Sequence, residues 1–387
     1  MTIYLDHQAS TPANQSVIDT MQPFWRENFG NPHSSEHVVG WTANSHIEKS
    51  KDLISKVLGS ESDEIFFYSG ATEANNHSMF ALSALANKFS DRKRVIISEI
   101  EHKCILESSR YWAEKFGLEL CLLKVDGSGM VDLAQLIELL EVPTLFCSIM
   151  YVNNEVGAIQ DLEKIAGLLK KSGVLFHSDC AQALKAVNLE KLAEQVDIAT
   201  FSGHKIGGPQ GIGCSFISAH LHDLIEAQIL GGGQQQSLRS GTVALPLVVG
   251  LGEAFKYSSD ENFNNKYRLS LLTKNKFLWE ELKNVAPELQ LNGPELKLRH
   301  PGNLNIFFPG VLASNLLLSL QPLVCASSGS ACSSGSIEPS YVLLALGYSS
   351  KHASCSARFS VSVDTSNNDL KTAANIIGKK YKELLNN

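Results

Sequence analysis

Several features that would place a chain early are missing here. None of the eight cysteines (Cys104, Cys121, Cys147, Cys180, Cys214, Cys325, Cys332 and Cys355) stands in a C-x-x-C pair, so neither a disulfide framework nor a structural zinc site is expected. No apolar stretch approaches the length that spans a bilayer. Met1-Thr2-Ile3-Tyr4-Leu5-Asp6-His7 lacks the basic region and apolar run of a signal peptide. A cytoplasmic location without membrane attachment is the resulting expectation. A basic excess is absent too: 33 Lys and Arg face 40 Asp and Glu, for a net charge of −7. Such a balance gives no broad electrostatic footprint for direct nucleic-acid binding. There is no internal repeat and no low-complexity tract.

What is present reads as a globular enzyme. The 387 residues are 44% hydrophobic and 19% charged, more chain than one compact core usually holds, so two domains are expected. Short apolar runs (94–98, 145–151, 174–177, 198–201) alternate with helical spacing (105–116, 162–171). That alternation predicts an α/β fold, a mainly parallel sheet covered by helices on both faces. A polar stretch, Tyr257-Ser258-Ser259-Asp260-Glu261-Asn262, reads as a loop and a boundary. Residues 15–256 then form a large domain, and 1–14 with 257–387 a smaller α+β domain.

Three segments carry candidate chemistry. In Phe67-Tyr68-Ser69-Gly70-Ala71-Thr72-Glu73 a strand runs into a small-residue turn and a helix begins near Thr72, a geometry that converges backbone N–H groups on an anion. An ordinary capped helix start would look the same. In Leu175-Phe176-His177-Ser178-Asp179-Cys180-Ala181-Gln182 a carboxylate follows an apolar strand, where open α/β sheets place ligands. Asp179 there suits a protonated pyridine nitrogen or a helix cap. In Phe201-Ser202-Gly203-His204-Lys205-Ile206-Gly207-Gly208 a lysine follows a strand among glycines, and desolvation there would free its amine for a Schiff base.

Anion cup, Asp and Lys, in that chain order, resemble the fold-type-I pyridoxal-phosphate transferases. With the motifs Ser69-Gly70-Ala71-Thr72-Glu73 and Ser202-Gly203-His204-Lys205, the chain resembles the class-V aminotransferase superfamily in its cysteine desulfurase branch (the NifS/IscS type), over nearly its whole length. The resemblance implies a large domain with a seven-stranded, mainly parallel sheet, and pyridoxal 5'-phosphate as cofactor. It implies that Lys205 forms the Schiff base, Asp179 partners the pyridine nitrogen and Gln182 contacts the ring hydroxyl. Ala71, Thr72, Ser202 and His204 would hold the phosphate, and His102 would stack on the ring and shuttle protons. Asn154 would lie near the ring and the substrate carboxylate, which Arg358 would clamp. Thr242 would reach the partner subunit's phosphate, which implies a homodimer. Gln235, Gln236 and Ser237 stand where the family carries an acidic residue, a basic residue and glycine, which puts the local dimer contacts in question.

The stretch Ala326-Ser327-Ser328-Gly329-Ser330-Ala331-Cys332-Ser333-Ser334-Gly335-Ser336 has one thiol and no core-forming side chain, so it reads as an accessible loop and Cys332 as a nucleophile. Together with Glu338-Pro339-Ser340-Tyr341 it resembles the family type with a long catalytic loop, carried here by the smaller domain. Cys325, after Leu323-Val324, reads as a strand end. Cys355 replaces a serine usual in the family. Cys104, Cys121, Cys147, Cys180 and Cys214 read as small buried hydrophobes.

By that resemblance the reaction converts L-cysteine to L-alanine. Lys205 takes the Cα proton, Cys332 attacks the substrate sulfur and keeps it as a persulfide, and His102 assists the proton transfers. A sulfur-acceptor protein would follow, serving iron–sulfur assembly, tRNA thiolation or DNA phosphorothioation. Housekeeping IscS-type members carry a longer C-terminal tail than the 29 residues after Arg358, which weakens a housekeeping iron–sulfur reading and leaves room for a dedicated system without choosing between them. The alternatives are another class-V reaction (a selenocysteine lyase or an aminotransferase) and a scaffold that docks partners.

Overall fold

The computed structural model describes residues 2–256, 261–329 and 338–386, with backbone alone at 261–264. The Cys332 segment lies outside the described residues.

Seven strands form the main sheet, in the spatial order Ile65–Tyr68, Gly213–Ile217, Ile198–Ser202, Leu175–Asp179, Thr144–Ser148, Arg94–Ser98, Glu119–Leu123. The last five run parallel. Gly213–Ile217 is antiparallel to both of its neighbours. Ile65–Tyr68 therefore points the same way as the parallel five. Six strands deliver their C-terminal ends to one edge of the sheet, where ligands bind in open α/β sheets.

Parallel strands are covered on both faces and read as continuous apolar runs. Val95 and Ile97 enter one core with Phe146 and Ile198. Ile96 enters the opposite core with Phe176 and Phe201. The crossover helices carry their own start and stop signals. Asp161 accepts from the Lys164 N–H at the start of Leu162–Lys171, which ends on two lysines. The helix Lys103–Phe116 stops at Gly117 with φ +63°.

The smaller part is built on a three-stranded antiparallel sheet of Gln290–Leu291, Asn303–Phe307 and Ser356–Ser360. The helices Glu261–Val285 and Asn367–Leu385 pack on each other beside it. A separate core runs through Leu278, Ile306, Phe359 and Ile377, and Ile3 and Leu5 belong to it. Ile3–Tyr4 pairs in parallel with Val324–Cys325, so Cys325 does end a strand.

Two expectations need correction. Glu261 and Asn262 are not loop, because the helix Glu261–Val285 begins with them. Polar residues open helices as readily as they fill loops, and the pattern did not separate the two. Of the five cysteines read as buried, Cys147, Cys180 and Cys214 are buried, whereas Cys104 and Cys121 are only half-buried.

Candidate active site

The strand ends enclose a cavity of about 600 Å³. Its lining includes Ala71, Thr72, His102, Asn154, Asp179, Ser202, His204, Lys205 and Arg358. Nine of the twelve residues singled out from the sequence thus converge on one space. Gln182 is not among the lining residues. It is buried, and its Nε2 donates to the Gln8 carbonyl at 2.8 Å. Thr242 is exposed and does not line the cavity. Cys332 lies outside the described residues, but Gly329, three positions before it, lines the cavity.

Each side chain is held for a reason. The helix Ala71–Ala84 starts at Gly70 with no side-chain cap, so its first N–H groups and dipole face the cavity beside Thr72. Asp179 is buried at the end of its strand. Its Oδ1 accepts from the Ala181 N–H at 2.9 Å and its Oδ2 from Asn75 Nδ2 at 2.8 Å. Two hydrogen bonds leave a carboxylate with spare acceptor sites, which fits a pyridinium N–H. His102 caps the helix Lys103–Phe116, its Nδ1 lying 3.2 Å from the Cys104 N–H and 3.0 Å from Cys104 Sγ. Burial holds its pKa below the ordinary histidine range, against the pull of the nearby Asp179 charge. His204 is likewise lowered, by burial and then by the Lys205 charge, and its Nδ1 lies 3.2 Å from Ser10 Oγ.

Arg358 projects from the strand Ser356–Ser360 with its side chain only 4% exposed. Its Nη1 donates to the Asn154 carbonyl at 2.7 Å and its Nη2 to Asp6 Oδ1 at 2.8 Å. Nε is buried and has no partner among the described residues. Arg358 lines the cavity with two of its nitrogens already fastened, and a guanidinium so aimed suits a substrate carboxylate.

Sequence reasoning missed several contributors. Asn75 ties three residues together: it donates to Asp179, accepts from Thr200 Oγ1 at 2.5 Å and lies 3.4 Å from Cys104 Sγ. Cys104, read as a bland core residue, lines the cavity. Burial pushes its thiol up to about 12, so it is no ready nucleophile. Asp6 reads only as part of the N-terminal stretch, yet its Oδ1 accepts from Arg358 Nη2. Glu73 pairs with Arg239 at 2.9 Å at the mouth of the cup. The one available signal was the clustering of Asn75 within a helical turn of Thr72.

The turn that departs from the family pattern is fastened to this site. Gln235 Nε2 donates to the Phe67 carbonyl at 2.9 Å, and its Oε1 accepts from the Phe67 N–H at 2.6 Å. Its amide therefore pairs with the outer edge of the strand that leads into the cup. Gln235, Gln236 and Ser237 have φ of 50°, 56° and 64°, left-handed conformations that non-glycine residues seldom adopt in succession.

The Aminotransferase class-V family matches residues 3–372. Cysteine desulfurase IscS of Rickettsia rickettsii (strain Iowa) is 37% identical over 385 residues, 99% of this chain and 92% of that protein. Among solved structures, a NifS-like protein aligns with TM-score 0.88 and 32% identity, over 98% of this chain and 99% of its own. SspA in complex with cysteine aligns with TM-score 0.81 and 29% identity, over 93% of this chain and 99% of its own. A carboxylate, a lysine and an uncapped helix start around one cavity are what pyridoxal phosphate requires of a protein, and the chain belongs to the class-V aminotransferase family, among its pyridoxal-phosphate-dependent cysteine desulfurases.

Proposed function

We propose that the protein takes sulfur from L-cysteine, releases L-alanine and holds the sulfur as a persulfide on Cys332 for transfer to an acceptor protein. The observation that carries this reading is that Gly329, at the described end of the Cys332 segment, lines the same cavity as Lys205, Asp179 and Arg358. A structural relative holds cysteine, in keeping with cysteine as the substrate.

Pyridoxal phosphate would be held by Lys205 through its amine, by Asp179 at the ring nitrogen, and by Ala71, Thr72, Ser202 and His204 at the phosphate. Asn154 would lie near the ring, and Gln182, which does not line the cavity, would reach the ring hydroxyl only by leaving its bond to the Gln8 carbonyl. Bound there, the cofactor supplies an electron sink for the pair left when a Cα proton departs. Arg358 holds the substrate carboxylate with its guanidinium, which the Asn154 carbonyl and Asp6 aim from behind, and this fixes the amino acid's orientation. Lys205 Nζ takes the Cα proton. Asp179 keeps a proton on the ring nitrogen, and Asn75 keeps Asp179 in place. His102, kept neutral near pH 7 by burial, accepts and returns protons beside the substrate. Across the reaction the substrate's C–S bond breaks and its sulfur joins Cys332 Sγ. The substrate's Cβ gains a proton, so cysteine and one thiol give alanine and one persulfide without an outside oxidant.

The same reading takes 15–256 as the large cofactor domain and 1–14 with 257–387 as the small one, supported by their separate cores. It also takes the active form as a homodimer. Thr242 is exposed instead of lining its own cavity, which suits a residue that serves the partner's phosphate. The acceptor belongs to an iron–sulfur, tRNA-thiolation or DNA-phosphorothioation system. The cytoplasm is the proposed location, and no helix among the described residues is long and apolar enough to cross a membrane.

The test follows alanine and sulfide from L-cysteine with a reductant, for the wild type and Cys332→Ala. Alanine from the wild type alone is expected. Equal alanine from both would remove Cys332 from the mechanism, and transamination of a keto acid in its place would point to a different class-V reaction.

A further inference from the structure

Glu155 has no part in the steps above. It does not line the cavity, yet its side chain is buried. Burial raises its carboxyl above the ordinary range, against the pull of the Ser340 hydroxyl and the Arg358 and Lys103 charges. A buried carboxyl is expensive to keep, and its contacts show what it holds.

On one side, Ser340 Oγ donates to Glu155 Oε2 at 2.5 Å. Ser340 is the N-cap of the helix Tyr341–Ala345, where its Oγ accepts from the Leu343 N–H at 3.2 Å. On the other side, the same oxygen leaves no room for a side chain at Gly329. A Cβ added there would stand 3.0 Å from Glu155 Oε2, and Gly329 has φ +82°, so only glycine fits both the approach and the backbone. Gly329 is the last described residue before the segment that carries Cys332, and Ser340 lies two positions after Glu338, the first described residue beyond it. One carboxyl oxygen thus accepts from Ser340 on one flank and occupies the space a side chain would need at Gly329 on the other.

Glu155 is itself held rigidly. Its N–H donates to Asn153 Oδ1 at 2.8 Å. Its carbonyl accepts from the Nδ2 groups of Asn303 and Asn305, each at 3.1 Å. Its neighbour Asn154 receives Arg358 Nη1. The turn that fixes the flanks is therefore the turn that fixes the substrate's arginine.

We propose that Glu155 is a positioning residue for sulfur transfer, setting where the two flanks of the Cys332 segment stand relative to Arg358; this rests on Cys332 being the sulfur acceptor. Glu155 touches no reacting atom. Its effect falls on the step in which the substrate's C–S bond breaks and the S–S bond to Cys332 forms, and not on removal of the Cα proton.

Two readouts separate these steps. Exchange of the Cα proton of L-alanine in D2O needs the cofactor and Lys205 but no thiol. Single-turnover alanine formation from L-cysteine, with the Cys332 persulfide followed by mass spectrometry, needs both. In Glu155→Ala and Ser340→Ala, transfer is expected to slow by about tenfold or more while exchange stays within about twofold, since small misplacements of a reacting group cost that much. Glu155→Gln keeps an acceptor oxygen for Ser340 and should recover most of the transfer rate. Equal losses in transfer and exchange would reduce Glu155 to a structural role and overturn the proposal, as would undiminished transfer in Ser340→Ala. Ser340→Ala deletes a single oxygen, so it decides the matter even if Glu155→Ala does not fold. Wild-type protein that exchanges the alanine proton yet makes no persulfide would sink the Cys332 reading itself.

Discussion

Asn75 carries no charge and touches none of the groups whose chemistry is obvious, except that it hands Asp179 one of its two hydrogen bonds. That bond keeps the carboxylate aimed. Replacing it by alanine removes the donor and leaves Thr200 Oγ1 without its acceptor. Asn75→Ala should therefore weaken pyridoxal-phosphate binding by about tenfold, the effect of losing a hydrogen bond to a charged group. Titrating the apoenzyme with cofactor checks this, and unchanged affinity would deny Asn75 its part. Lys205 and Asp179 could be read from the sequence because chemistry-bearing residues at strand ends stand out against apolar runs. Asn75, Asp6 and Glu155 could not, since their roles come from partners more than a hundred residues away. Cys104 misled because a thiol in a helix has the same local signature whether it faces a core or a cavity.

Elements repeat the lesson with backbone in place of side chains. The departure at Gln235-Gln236-Ser237 was visible as composition, but its effect depends on dihedral angles that composition does not report. Three successive left-handed residues store strain that glycine would release. Ser237→Gly should raise stability by about 1 kcal/mol, read as an increase in the thermal midpoint. A lower midpoint would mean that the Ser237 side chain contributes more than its conformation costs. The strain persists because Gln235 pairs with both backbone groups of Phe67 and Gln236 Nε2 donates to the Asp63 carbonyl at 2.9 Å. This turn thereby finishes the open edge of the outermost strand, a place where sheets otherwise invite misplaced pairing. The strands and helices of the main sheet were legible as alternation, and their order was not, because spacing along the chain does not say which strand lies beside which.

For the molecule as a whole, buried histidines set the response to acid. Burial lowers His177 and His7 to about 4 and His300 to about 3. The unfolded chain takes these protons near pH 6.5, whereas the folded one refuses them until well below. Stability from these groups is therefore complete above pH 6.5 and is lost as pH falls from there toward 4. Glu101 and Glu155, raised by burial, work in the opposite sense and lose stability as pH rises through the carboxylate range. A difference measurement removes them. His177 lies in a strand with Nδ1 2.8 Å from Ser148 Oγ and Nε2 without a partner among the described residues. The unfolding free energy of His177→Asn, read by urea titration, should fall less steeply between pH 6.5 and 5 than that of the wild type, by about 1 kcal/mol per pH unit. Parallel curves would show that another group carries the acid sensitivity.

The pairing of Ile3 with Val324 also dictates when the site can exist at all. A ribosome makes the first strand almost at once and its partner only after more than three hundred further residues, and domains fold as their chain emerges. Until residue 324 is made, Ile3–Tyr4 has no neighbour, and Asp6 has no Arg358 to hold until later still. The large sheet can assemble around its cavity well before this. The nascent chain thus completes the strands that carry Asp179 and precede Lys205 first and the strand that carries Arg358 last, so on the proposed roles the cofactor site can form before the site for an amino acid.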